Sequence, residues 1–397
     1  MNNKPNYKKG TRREILKLIH IGSILPTRAL NVMDTPRTFK DKLREMESEG
    51  VLAKNKVVNN KRTYKFYTLN NYETTRACYS DSLPNGYYET YVEYGLYAVK
   101  DCKNKEGTAS MRIMTTAETL VLMSSAKISC LPDEKPMLKG KDFIDSGANY
   151  YLSREIKNYT GYKDSYSKEK FKGKNGEEMK LVVSSRLTGL LVSDGGIYAV
   201  YNVGRSIQNW QRGGELKIKT HIDFMLGEKM KDPSNCEAAL LYAENFDSFS
   251  AIFNPASPAD HKAVSSFDNL SSVYRRVYVL PYSKDGRKMT EIMAREGWAD
   301  SMKGTLLKGF TTERVEEQGI ACDAYTDDES VLLFCIPDLA KLQKFLAAAE
   351  YDGHREKFIV ICFDFQASLV ARACAGKCRI MKAPFERYYR EYMEGNS

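Results

Sequence analysis

The sequence predicts a mixed α/β chain of two unlike parts, a small helical module closed by a hairpin and a larger α/β body. Three observations carry that reading. Basic charge is concentrated at one end: residues 1–72 hold 16 Lys and Arg against 6 Asp and Glu, while the other 325 residues hold 44 against 45. In the same stretch, apolar residues recur at helical spacing and then switch to strand alternation. Beyond Asn269, short apolar runs alternate with amphipathic segments, the pattern of an α/β sheet.

Composition narrows the class further. The 397 residues, 42% of them hydrophobic, suffice for more than one core. No apolar run approaches the roughly 20 residues of a membrane span. The opening residues, 1–6, lack the apolar stretch of a secretory signal, so the expected location is the cytoplasm, without a membrane partner. The nine cysteines are an odd and scattered set. Only Cys374 and Cys378 lie close together, and no second pair completes a zinc site. Buried, reduced thiols are the expectation.

In the basic stretch, Arg12 to Ile21 reads as a helix with Ile15, Leu18 and Ile19 on one face. Leu25 to Leu30 reads as a short second helix, with Thr27 as its N-cap and Arg28 on it. A third helix begins at Thr35, an N-cap candidate, with Pro36 at the first helical position, where its missing N–H costs nothing. Phe39, Leu43 and Met46 form its buried stripe, and Gly50 ends it. The opposite face offers Arg37, Thr38, Lys40, Asp41 and Arg44. A hairpin follows, turning at Asn59-Asn60-Lys61-Arg62, where asparagines tolerate left-handed backbone. Its return strand, Thr63 to Leu69, puts Tyr64 and Phe66 on one face.

Three helices and a basic-tipped hairpin are the order of a winged helix-turn-helix. The third helix would enter a major groove, with Arg37, Thr38, Lys40 and Arg44 toward the DNA and Arg28 beside them. Lys61 and Arg62 on the wing would reach phosphate or the minor groove. Double-stranded DNA is the expected partner. A localised basic patch on a patterned segment fits a polyanion.

Residues 73–142 read as a helical connector, with a homodimer contact as a further expectation. Tyr87, Tyr88, Tyr91, Tyr94 and Tyr97 share one helical stripe, and a second helix runs from Met111 to about Ala126 with Met114, Leu122 and Met123 as core filler. The α/β body is expected over residues 143–397.

In that body, Phe143 to Tyr159 reads as a helix. Leu187–Ser193 and Ile197–Val203 read as strands joined at Asp194-Gly195-Gly196, and Glu215-Leu216-Lys217-Ile218 as a third strand. Thr220–Met230 reads as a helix, and Ala238–Ala243 as a strand. This order resembles the core of the PD-(D/E)xK nuclease superfamily. The resemblance implies Asp194, Glu215 and Lys217 as catalytic residues, with Asp194 and Glu215 on a Mg²⁺ ion and Glu155 as a fourth acidic group. Ser193 stands where the motif has proline, and the two glycines after Asp194 suit a plain hairpin tip. Without that chemistry no cofactor is expected.

Farther on, Tyr274–Pro281, Ile320–Tyr325, Ser330–Ile336 and Phe358–Phe363 read as strands. Lys288–Glu296, Leu339–Glu350 and Gln366–Ala375 read as helices. Gly304 to Gly309 lacks the Gly-Lys-Ser/Thr ending of a phosphate loop, which argues against an ATPase. Asp364 follows a strand, where α/β proteins place site residues, but a capping role explains it as well. The Arg387–Arg390 stretch reads as an exposed helix.

Basic winged helix, helical connector and nuclease-like body together resemble the replication-relaxation family of bacterial plasmids and integrative elements. The best matching stretches are Thr11–Leu69 and Arg186–Asp223. The resemblance implies a DNA-binding protein of a mobile genetic element, acting in replication control, transfer or transcription. Two alternatives are a metal-dependent nuclease targeted by the winged helix, and a transcriptional regulator whose α/β body senses a ligand or partner. Relaxase chemistry needs clustered histidines, and His20, His221, His261 and His354 are far apart in sequence.

Overall fold

The first helix, Gly10–Gly22, buries Ile15, Leu16, Leu18, Ile19 and Ile21. The computed structural model describes residues 10–59, 61–70, 108–131, 134–138, 142–144, 147–157, 159, 186–205, 207, 209–231, 234–313, 315 and 319–395. The tyrosine stripe of Tyr87 to Tyr97 lies outside these residues.

Where a second α-helix is expected, the chain forms strand β1 (Leu25–Pro26) and a 3₁₀ helix, Thr27–Val32. Pro26 is extended, at φ −63° and ψ 133°, and pairs with Phe66. Thr27 is therefore not the N-cap; its hydroxyl donates to the Lys65 carbonyl at 3.1 Å. The helix Pro36–Ser48 buries Phe39, Leu43 and Met46 as expected. Thr35 holds its N-cap position, although its side chain makes no cap bond. Gly50 takes the left-handed φ of 71° that ends the helix, and its amide donates to the Glu47 carbonyl at 3.0 Å. Strands β2 (Leu52–Asn59) and β3 (Arg62–Leu69) pair antiparallel from Leu52↔Leu69 to Asn59↔Arg62, and the sheet order is β1-β3-β2.

The helix Thr108–Ser125 belongs to the same core. Its Met114 and Ala117 join Ile24 and Phe66 in one buried cluster. Gly22 lets it approach: a Cβ there would lie 3.3 Å from the Leu120 side chain and 3.4 Å from that of Ala117. The chain divides into two compact units, Met1–Asp142 with Asn149–Leu152, and Phe143–Ala148 with Ser153–Ser397. The segment expected as a connector thus contributes a core helix to the first unit. Strand β4 (Asn149–Leu152) also belongs there, its Tyr150 amide donating to the Ser129 carbonyl at 2.9 Å. It stands where a helix from Phe143 to Tyr159 is expected; among the described residues of that stretch only Ser153–Lys157 is helical.

In the second unit, β5 (Gly189–Ser193) and β6 (Gly196–Gly204) form the expected antiparallel hairpin. Parallel strands β7 (Ala238–Ala243) and β8 (Arg276–Pro281) extend the sheet beyond β6. β7 is buried along its whole length, as a strand covered on both faces must be. The segment expected as a third strand, Glu215–Ile218, instead lies in the helix Arg212–Lys229. Two apolar residues at i and i+2 cannot distinguish the two periods; the longer stripe of Ile218, Ile222, Met225 and Leu226 decides for helix.

A second sheet, ordered β12-β11-β10-β9, completes this unit. β10 (Ser330–Leu333), β11 (Phe358–Phe363) and β12 (Arg379–Ala383) run parallel, connected through the helices Leu339–Asp352 and Ala367–Cys374. Of the strand expected over Ile320–Tyr325, only β9 (Ala324–Tyr325) forms. The last helix, Phe385–Gly395, buries Phe385, Tyr388 and Tyr392. Asp364 lies just past β11, where its carboxylate accepts from the Phe365 amide at 2.9 Å. The molecule is thus mixed α/β. Among the described residues no helix is long and apolar enough to cross a membrane. The seven described cysteines are buried and form no disulfide with one another.

Candidate nucleic-acid interface

In the first unit several acids are paired with cations, while another set of cations stays exposed. Arg12 bridges Glu45 at 2.9 Å and Glu49 at 2.6 Å, and Lys42 reaches Glu45 at 2.8 Å. Lys42, and then Arg12, hold the Glu45 carboxyl below its ordinary pKa, so it stays ionised and occupied. These pairs gather at the C-terminal end of the Pro36–Ser48 helix. Toward its N-terminus Arg37, Thr38 and Lys40 are exposed. Arg44 is exposed too, and lies 3.4 Å from Asp41.

The hairpin adds a second basic surface. Its inner face puts Phe66 into the core, with Tyr64 and Val57 packed against it. Its outer face exposes Lys54, Lys56 and Lys65. Lys56 and Lys65 stand directly opposite each other in the strand register. Like charges so placed destabilise a sheet by roughly 0.2–1 kcal/mol unless a counter-charge lies over them. The ammonium of Lys54 sits over the Tyr67 ring, 5.8 Å from its centroid. At the tip, Lys61 and Arg62 are exposed. Lys61 itself takes the left-handed conformation expected of an asparagine, at φ 62°; Asn60 lies outside the described residues. Arg37, Lys40, Lys56, Lys61, Arg62 and Lys65 make no ion pair among the described residues.

Arg28 is used differently. Its guanidinium forks onto Glu118, Nε to Oε1 and Nη2 to Oε2, the latter at 2.8 Å, and stacks over the Tyr64 ring at 5.1 Å. Glu118 is 1% exposed. A bidentate pair on a buried carboxylate fixes Arg28 to the core helix.

The residues expected for metal chemistry do not converge. Asp194 lies exposed at the β5–β6 tip, accepting the Gly147 amide at 3.3 Å. Glu215 is buried in the first turn of the Arg212–Lys229 helix, where it accepts the Tyr201 hydroxyl at 2.6 Å. Tyr201 is five residues along β6 from Gly196, roughly 16 Å at the rise of a strand. One Mg²⁺ would require an oxygen of each carboxylate about 2.1 Å away. Lys217, on the same helix, is exposed, and Glu155 is buried in the five-residue helix Ser153–Lys157. Among the described residues no three His, Cys, Asp or Glu side chains are grouped to hold a metal ion.

Sequence reasoning missed Lys54, Lys56 and Lys65. The period-2 spacing of Lys54 and Lys56 was available, but the facing Lys65 follows only from the register. In comparisons with family models, curated proteins and solved structures, the chain matches none.

Proposed function

We propose that the first unit is a winged helix-turn-helix that binds double-stranded DNA. The Pro36–Ser48 helix reads the major groove, and the β2–β3 hairpin lies along the adjacent backbone as the wing. The chain then serves as a cytoplasmic DNA-binding protein of a mobile genetic element, in replication control, transfer or transcription. The observation that carries this is the unneutralised Lys56–Lys65 pair, continuous with Lys61 and Arg62 at the tip. A polyanion supplies the counter-charge those residues lack. Arg37, Thr38 and Lys40 at the start of the helix supply groups that can read base edges. No nuclease step is assigned, because Glu215 is committed to Tyr201 inside the fold.

The test is fluorescence anisotropy of a labelled duplex with the full chain at several salt concentrations. The full chain is needed because Met114 and Ala117 cover Ile24 and Phe66, and a fragment ending at residue 72 would expose that core. Changing Lys61 and Arg62 together to Ala should weaken binding to every sequence and reduce the salt slope by about 2, roughly 0.9 per phosphate contact. Wild-type protein without affinity for duplex DNA at low salt would defeat the proposal.

A further inference from the structure

Asp194, left without a metal role, forms one wall of a cleft in the second unit. The cleft has a volume of about 620 Å³ and lies at the edge where β6, β7 and β8 begin. That size is within the range of small-molecule sites. Tyr198, Tyr278 and Trp298 form its aromatic side, with the Tyr278 ring centroid 5.9 Å from each of the other two.

The wall carrying Asp194 is locked. The Gly195 amide donates to the Ala294 carbonyl at 3.2 Å. The Gly195 carbonyl accepts from the Tyr198 hydroxyl at 2.8 Å and from Trp298 Nε1 at 3.2 Å. Any Cβ at Gly195 would overlap the Met293 carbonyl. Asp300, in the first turn of the helix Trp298–Leu306, also lines the cleft. The lining carries three carboxylates, Asp194, Glu237 and Asp300, against one guanidinium, Arg276. Glu237 faces Arg275 at 3.7 Å, and Arg276 hydrogen-bonds Tyr278. Asp194 and Asp300 make no ion pair among the described residues.

We propose that this cleft binds a small organic cation, a protonated amine or guanidinium on a short stem, with Asp194 and Asp300 holding the charge and Trp298 lining the floor. Two exposed carboxylates on the lining of one open cleft favour a positive guest. The aromatic floor favours one with apolar surface over a hydrated inorganic ion. This site is independent of the DNA reading, because binding is measured at Trp298 and not through DNA.

The chain has two tryptophans, Trp210 and Trp298. A full-length Trp210→Phe variant therefore reports on Trp298 alone. Titration with agmatine or spermidine at constant ionic strength should give a saturable change in its emission. Asp194→Asn and Asp300→Asn, both at exposed positions, should each weaken the midpoint about tenfold. Calorimetric titration of the wild-type chain with agmatine gives the same answer should Trp210→Phe not fold. No saturable emission change or heat, equal midpoints in the Asn variants, or a response to MgCl₂ as tight as that to agmatine would each overturn the proposal.

Discussion

The two hairpins of this chain, β2–β3 and β5–β6, both close their strands with short polar turns, yet their tips do opposite things. The β2–β3 tip presents Lys61 and Arg62 to solvent. The β5–β6 tip is bonded to the Ala294 carbonyl and held by Tyr198 and Trp298. Side chains beyond the turn make the difference. After the first turn come Arg62, Thr63 and Lys65, all exposed. After the second come Tyr198 and, a hundred residues later, Trp298, which capture the Gly195 carbonyl. Turn chemistry predicts that a hairpin forms, not whether its tip reaches outward or is docked.

The sharpest way to break this comparison is to unseat the docked tip. Gly195→Ala puts a methyl group against the Met293 and Arg295 carbonyls. It should cost about 3 kcal/mol or more, read as a drop in the denaturation midpoint of the second unit. Retained stability would mean that the tip is free, like the other one.

Acid should act on the unit that carries the outward tip. Burial of His20 in the first helix pushes its pKa down from 6.5 to about 4. The unfolded chain therefore binds more protons between those values. The stabilisation is complete above pH 6.5 and declines as pH falls to about 4, by about 3 kcal/mol. Denaturation of the wild type and His20→Gln across this window checks it: the variant should show a flatter pH dependence.

A finer test separates reading from holding. Arg37→Ala should weaken binding to a preferred duplex by about 1–3 kcal/mol and to random DNA much less. Equal losses in anisotropy would make Arg37 a phosphate contact, the role proposed for the wing residues. The smallest effect is expected at Lys61. Lys61→Gly removes the strain of a left-handed lysine and should raise stability by about 1 kcal/mol while lowering DNA affinity. Paired melting and anisotropy measurements would show the two changes with opposite signs.

What the sequence made legible is local. Phe39, Leu43 and Met46 lie three and four residues apart, and Gly50 supplies the left-handed stop, so that helix follows from spacing alone. The β5–β6 hairpin was as plain, from two apolar runs around Asp194-Gly195. Long-range pairing was not legible. Nothing near Arg28 announces that Glu118, ninety residues later, will take its guanidinium. Glu215 and Lys217 mimic a strand motif because four residues cannot distinguish alternation from a helical stripe; the apolar residues that settle it run on to Leu226. The missed lysines follow the same rule: Lys65 matters through its partner Lys56, and that partnership belongs to the register.

The Thr108–Ser125 helix also bears on how the protein is made. Strands β1 to β3 are complete at Leu69, but their apolar cover arrives 56 residues later, at Ser125. At a synthesis rate of about 5–20 residues per second, that interval lasts roughly 3 to 11 seconds. Throughout it Ile24 and Phe66 lack Met114 and Ala117. The nascent chain therefore exposes a sticky face while still attached to the ribosome, a natural target for a chaperone.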